Sequence, residues 1–373
     1  MIPTSDVARE QALLRDELLA AAARVIDAGD FILGSEVDRF ERELARTLEV
    51  PEVVAVGSGT DALILAFREL GIGRGDEVIT VANTFVATAA SIVSVGAIPV
   101  FVDVGIDENM VPDGLRAAVS SRTKAIVPVH LRGRPADMTR ICDFAEQRGI
   151  LVIEDAAQAI GARHRGQLTG TFGRIACFSL HPLKVLGACG DGGFMTTADP
   201  ELAHRLRILR NHGLQTRDLC VTWGLNSRLD TLQAALLRVK LPHLHSWIER
   251  RRAIAATYLA AFADLDVILP NHVDEDVHVY ASFVVMVDKR EAVRGHLRSA
   301  GVETRVHYPI PIHRQPGASG CVVPPAGLPV TERQANEILS LPMFPAMTDG
   351  EVQEVVAAFR DAVERRDQAR AVP

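Results

Sequence analysis

The sequence predicts an α/β protein, with a large domain built on a mostly parallel sheet between helices and a smaller α+β domain after it. Three observations predict this. From about residue 53, short β-branched runs alternate with helix-length amphipathic segments. The runs are apolar throughout rather than alternating with polar residues, as strands covered on both faces are. After about residue 245 the alternation stops, and a long helical segment, a few strand-like pieces and a closing helix take its place.

In chain order, VVAV leads into the helical DALILAFREL, and EVITVA into TFVATAASIVSV. IPVFVDV follows, then KAIVPVHL with a helix through CDFAEQRG, then LVIEDAA, IACFSLH and GGFMTT. The first domain, with its N-terminal segment, is expected over residues 1–245. Residues 246–373 form the second, with a helix through WIERRRAIAATYLAAF, a strand in YASFVVMV and a last helix through EVQEVVAAFRDAVERR. The Pro-rich stretch from Tyr308 to Pro329 reads as a long loop, and loops of that length are often functional.

Composition excludes several classes. The 373 residues, 48% apolar, can bury a large core. Forty basic against 47 acidic residues leave a net charge of -7, with no run of like charge suited to nucleic acid or an anionic membrane. The five cysteines are scattered and odd in number, with neither a disulfide framework nor a metal-ligand spacing, which points to a reducing, cytoplasmic setting. The first residues do not read as a secretory signal. The most apolar stretch, Ala89 to Val104, falls short of the ~20 uninterrupted residues that cross a membrane. High Ala, Arg and Val usage suggests a GC-rich bacterial source.

Three motifs carry chemistry. In VVAVGSGTDAL a strand runs into Gly57-Ser58-Gly59-Thr60 and a helix, which makes either an anion site or an ordinary capped turn. In VIEDAAQAIGA, Asp155 ends an apolar strand, where a carboxylate needs a cation or donors unless it merely caps the next helix. Gln158 is close enough to serve the same pocket. Glu154 and Asp155 point to opposite faces of a strand, so they are not a paired acid and base. In FSLHPLKVLGACGDGG, Lys184 stands among Pro, Leu, Val and Gly, and desolvation there lowers an amine's pKa toward its nucleophilic form. An anion-binding helix start, a buried carboxylate and such a lysine together suit pyridoxal 5'-phosphate.

VGSGTDAL, VIEDAAQAIGA, FSLHPLKVLGACGDGG, RNHGL, GLNSRLDTLQAALL and VHYPIPIHRQP, in this order and spacing, resemble the nucleotide-sugar aminotransferases of the DegT/DnrJ/EryC1/StrS family. The resemblance runs from Ile32 to Phe359 and implies the aspartate aminotransferase fold, fold type I of the pyridoxal phosphate enzymes. It implies that Lys184 binds the cofactor covalently and shuttles a proton, and that Asp155 keeps the ring nitrogen protonated. Gln158 would lie near the ring hydroxyl, Gly59, Thr60 and Ser179 would hold the phosphate, and Phe85 in ANTFVAT would stack on the ring. Asn226 would reach the cofactor phosphate of the neighbouring subunit, which makes a homodimer with shared sites necessary.

Substrate contacts are expected from His181, Arg228, His307, Tyr308 and His313. His181 is equally a turn residue, and Arg228 equally a structural ion pair. No metal site is expected. The glycines of GDGG, Gly190 to Gly193, are read as a tight turn that brings backbone close to the cofactor rather than as a phosphate loop.

The implied reaction passes an amino group from glutamate or glutamine, through the pyridoxamine form of the cofactor, to a ketone of a nucleotide-linked deoxysugar. A 3-keto, dTDP-linked 6-deoxyhexose is the first expectation. The alternatives are a 4-keto or 2-keto sugar or an aminocyclitol, then a sugar dehydratase of the same fold, which Lys184 argues against, and a cofactor-binding regulator without turnover. Two departures bear on substrate rather than cofactor: Val185 where many relatives have Asn, and HLRGRPADM in place of an HLYGQPADM-like segment.

Overall fold

The computed structural model describes residues 1–270 and 275–371. Seven strands form the main sheet: β1 (Glu52–Val56), β2 (Glu77–Val81), β3 (Ile98–Val102), β4 (Thr123–Ile126), β5 (Leu151–Asp155), β6 (Ile175–Ser179) and β7 (Gly193–Thr197). Their order is β1-β7-β6-β5-β4-β2-β3. Neighbouring pairs from β6 to β3 run parallel, while β7 is antiparallel to both β1 and β6. The reason lies in the link: between β6 and β7 the chain makes turns and no helix, so β7 comes straight back beside its predecessor, whereas parallel neighbours need a crossover.

The unbroken apolar runs are explained by burial on both faces. Val53 and Ala55 pack with Phe40, Leu44 and Leu237 on one side. Val54 and Val56, one residue out of phase, pack with Leu65, Phe67 and Leu206 on the other. The long loop has a structural use as well as a functional one: Val322 pairs with the edge strand β3, accepting from Phe101 N at 2.9 Å and donating to Pro99 O at 2.8 Å. An open sheet edge is covered in this way.

A second core surrounds two antiparallel strands, β8 (Phe283–Met286) and β9 (Ile338–Leu341), with the helices Arg290–Ser299 and Asp349–Ala371. The helix Leu244–Phe262 joins the two cores, since Leu244 and Ile248 belong to the first and Ile254, Tyr258 and Phe262 to the second. The N-terminus also crosses over: Ile2 bridges to Val302 and lies in the second core. Among the described residues no helix is long and apolar enough to cross a membrane, and all five cysteines are unpaired.

Candidate active site

The carboxyl ends of the parallel strands and the inner edge of the second core enclose a cavity of about 540 Å³. It gathers Gly59, Thr60, Phe85, Asp155, Gln158, Ser179, His181, Lys184, His307 and Tyr308, from segments up to about 250 residues apart.

Ser58 caps the helix Gly59–Glu69, its hydroxyl accepting from Asp61 N at 3.1 Å. The capped turn and the anion site are therefore compatible, because the first amides of a helix have no acceptor within it and Gly59 and Thr60 line the cavity. Gly59 has a packing reason: a Cβ there would stand 2.8 Å from Ser179 Cβ. Gly193 has another, since its Cβ would lie 2.4 Å from the backbone of Ser58. That glycine lets β7 close against the helix start.

Asp155 ends β5 with 5% of its surface exposed. Oδ2 accepts from Thr88 Oγ1 at 2.7 Å and Oδ1 from Ala157 N at 3.2 Å. Burial pushes its pKa up in spite of these two donors and of the nearby charges of Lys184 and His130. The carboxylate is thus short of positive charge on the cavity side. Glu154, on the opposite face, accepts from the backbone of Gly170 at 2.7 Å and of Phe172 and Gly173 at 2.8 Å, and pairs with His130 Nε2 at 3.0 Å.

Burial pushes the Lys184 amine down, with Asp155 opposing. Lys240 is also buried and also pushed down, but its Nζ donates to Gly187 O at 2.7 Å and it does not line the cavity. Desolvation alone therefore does not single out Lys184; its position on the cavity wall does. Val185, the neighbour that departs from the expected pattern, is buried in the first core.

Gln158 Oε1 accepts from Arg132 N at 2.8 Å, and the side chain also bonds Tyr308. The Tyr308 ring lies 5.7 Å from that of Phe85. His307 Nδ1 meets Ser340 Oγ at 3.0 Å, and burial, with Arg132, Arg305 and Lys184 nearby, lowers its pKa to about 4. His181 lines the cavity, and within its turn Nδ1 accepts from Leu183 N at 3.3 Å.

Three expected residues lie elsewhere. His313 sits in a short turn, Ile312–Arg314, and its Nε2 bonds Glu332 at 2.9 Å, outside this chain's cavity. Two prolines and a turn separate it from Tyr308, and Glu332 holds it. Asn226 is exposed and bridges to Asn211, and Arg228 Nη1 donates to Asn211 Oδ1 at 3.0 Å, with no ion pair to Arg228 among the described residues. Both are outside this chain's cavity, on a segment that exposes Trp223.

Among the wall residues that sequence reasoning missed are Thr88, Arg132 and Arg251. Thr88 follows Thr84 at helical spacing, a signal present in TFVAT. Arg132 lies in the departing HLRGRPADM; its guanidinium pairs with Glu108 at 2.9 Å, donates to the His307 carbonyl, and stands 6.0 Å from the Tyr308 ring. Arg251 left no signal, because a run of three arginines on a helix reads as a solvated face. Among the described residues no cluster of His, Cys, Asp and Glu could hold a metal.

The donor set fits pyridoxal phosphate: an amine that burial shifts toward its neutral form, a buried carboxylate without a direct ion-pair partner among the described residues, and a helix start that opens on the cavity.

The family model of the DegT/DnrJ/EryC1/StrS aminotransferase family matches residues 13–360. The chain is 44% identical, over 99% of its length and 98% of the other's, to dTDP-3-amino-3,4,6-trideoxy-alpha-D-glucose transaminase of Streptomyces venezuelae. It is also 44% identical, over 96% of its length and 97% of the other's, to UDP-N-acetyl-3-dehydro-alpha-D-glucosamine 3-aminotransferase of Acidithiobacillus ferrooxidans. Among solved structures it superposes on DesV of S. venezuelae, crystallised with a ketimine intermediate, with a TM-score of 0.95 at 43% identity over 98% of this chain and 99% of that one.

Proposed function

The chain belongs to the DegT/DnrJ/EryC1/StrS aminotransferase family, and from that membership we propose that it moves an amino group from glutamate, or glutamine, to the 3-keto position of a dTDP-linked 6-deoxyhexose, with pyridoxal phosphate as cofactor. One observation carries the reading: a buried amine, a buried carboxylate and a helix start converge on a single cavity. The two relatives described above are named for work on the 3-position of nucleotide sugars, which supports the 3-keto choice over a 4-keto one.

Gly59, Thr60 and Ser179 would hold the cofactor phosphate, Phe85 would pack on the ring, and Gln158 would lie near the ring hydroxyl. The cofactor supplies a ring that withdraws electrons from the carbon bearing the amine. Asp155 contributes the negative charge that keeps a ring nitrogen protonated, and the cation it receives relieves the cost of its burial. Lys184 would hold the cofactor through Nζ, and its amine, which burial shifts toward the neutral form, would take and return the proton at the substrate carbon. His307, neutral above about pH 4, would offer its second ring nitrogen, Nε2, to a sugar hydroxyl without adding charge.

The site is completed across a homodimer, with the partner's Asn226 at the phosphate and the partner's Arg228 near the substrate. This accounts for both residues standing outside their own cavity, on a segment with Trp223 exposed. The free cysteines suit a cytoplasmic enzyme.

Borohydride reduction of the cofactor-loaded protein followed by peptide mapping should label Lys184; label on Lys124 or Lys240 would overturn the assignment. Mixing Lys184→Ala and Asn226→Ala chains should restore activity in mixed dimers, and mixed dimers without activity would sink the shared site. Run in reverse with 2-oxoglutarate, the enzyme should consume a 3-amino dTDP-sugar. Turnover of only the 4-amino compound overturns the position.

A further inference from the structure

In the segment HLRGRPADM, Arg132 takes the position that a tyrosine holds in an HLYGQPADM-like pattern. Its backbone is left-handed, with φ at 63°, a region that is costly for any residue but glycine and is kept where the surroundings impose it. Here they do. Arg132 O accepts from Ala281 N at 2.9 Å and from His278 Nε2 at 3.1 Å, and Gly133 O accepts from Val279 N at 3.0 Å. Val279 packs in the first core and Tyr280 in the second, so these bonds help tie the two cores together. They run through main-chain atoms of positions 132 and 133 and need no particular side chain at 132.

What the side chain adds lies in the cavity. Arg132 is buried on its wall, and Glu108 meets the guanidinium at two points, Nη2 at 2.9 Å and Nε at 3.4 Å. A charge answered in this way is not a receptor for a substrate anion. The remaining reach of the fork goes to the segment expected at the sugar: Nη2 also donates to the His307 carbonyl, and the guanidinium carbon stands 6.0 Å from the Tyr308 ring centre. The far end of the same two residues returns to Arg132. Tyr308 bonds the Gln158 side chain, whose Oε1 accepts from Arg132 N at 2.8 Å. One residue therefore closes a ring of contacts, fixing the backbone of His307 with its side chain and the hydroxyl of Tyr308 through its amide. Asp155 is held by Thr88 and Ala157 instead, and Gln158 keeps its bond to the amide of position 132 whatever the side chain.

We infer that Arg132 is a positioning residue for the sugar half of the reaction, holding His307 and Tyr308 where they read the hydroxyls of the nucleotide-linked sugar. The inference rests on the aminotransferase reading above. Groups that select by hydrogen bonds discriminate only when they are fixed in place, so loss of this hold weakens sugar recognition and spares the amino donor.

Under that reading, glutamate and a 3-amino dTDP-sugar each convert the cofactor-loaded dimer to its pyridoxamine form, so one absorbance change follows both half-reactions. Arg132→Met keeps an apolar stem and removes the fork. It should raise the half-saturating concentration of the amino sugar about 10- to 100-fold, the range of one lost charged hydrogen bond, and leave that of glutamate within about twofold. Arg132→Lys keeps the charge without the fork and should fall between. The Arg132 charge helps to hold the His307 pKa down, so in NMR titrations of Arg132→Met the His307 ring should take its proton at a higher pH than in wild type. Because Arg132→Met leaves Glu108 buried and unpaired, the double variant Glu108→Gln, Arg132→Met guards against poor folding and should show the same split between substrates. Equal losses with both substrates, a loss confined to glutamate, unchanged sugar binding, or a His307 titration that stays put overturns the inference and leaves the aminotransferase reading standing. Wild-type holoprotein that reacts with glutamate but with neither a 3-amino nor a 4-amino dTDP-sugar overturns the nucleotide-sugar reading itself.

Discussion

The two faces of the sheet at the end of β5 hold carboxylates one residue apart and finish them in opposite ways. On the packed face, Glu154 meets three backbone amides and His130, and nothing of it remains for a ligand. On the cavity face, Asp155 meets one hydroxyl and one amide, and burial still drives it toward its neutral form. Both are buried and both are acidic. The contrast teaches that burial does not mark a functional charge; an incomplete set of partners does. Lys240 against Lys184 repeats the lesson with cations.

Four experiments bear on this contrast. The largest effect belongs to Asp155→Asn, which should retain cofactor by absorbance yet lose about two to three orders of magnitude in turnover, the scale for removing one preorganised charge partner. Its folding stability should hold or rise, because a costly buried charge is gone. Glu154→Gln should do the reverse. Placing an amide NH2 against backbone donors costs about 3 kcal/mol in urea unfolding, while the protein that remains folded turns over normally. Equal loss of turnover in both variants would erase the distinction between the faces.

A pH experiment sharpens the picture on the opposite wall. His307 titrates near 6.5 when unfolded and about 4 when folded, so the unfolded chain binds the proton first. Stability from this group is complete above about pH 6.5 and is lost as pH falls through 4, on the order of 3 kcal/mol in all. Melting curves of wild type and His307→Asn across that window should diverge at the neutral end and converge at the acid end; parallel curves would remove His307 from the cavity wall's charge balance. The smallest effect is Thr88→Val. It keeps the shape, removes one donor from Asp155, and should cost about 1 kcal/mol, roughly fivefold in turnover, with unfolding little changed.

Much of this was legible in the chain. The strands could be placed because runs apolar at every position demand cover on both faces, and Lys184 and Asp155 stood out because charges interrupt such runs. The direction of β7 was not legible, since GGFMTT reads the same whichever way it runs; the helix-free link from β6 decided it. Thr88 was hidden for a different reason. A threonine in a helix is unremarkable until a partner 67 residues away arrives at its hydroxyl. The separation of His313 from Tyr308 was not legible either, because closeness in a motif is not closeness in space and Glu332 holds the histidine outside this chain's cavity.

By itself the sequence determined the α/β class, the alternation that builds the sheet, and which strand ends carry a carboxylate, a lysine and a glycine-rich turn. These are local matters, set by periodicity and by the cost of a charge in an apolar run. Tertiary structure alone decided which buried charges are satisfied. It gave Glu154 three amides and Asp155 one, sent His313 to Glu332, and left Arg251 Nε buried without a partner. The physical reason is that a hydrogen bond or ion pair is made within about 3 to 4 Å, and segments far apart in the chain come that close only when the two cores close around one cavity.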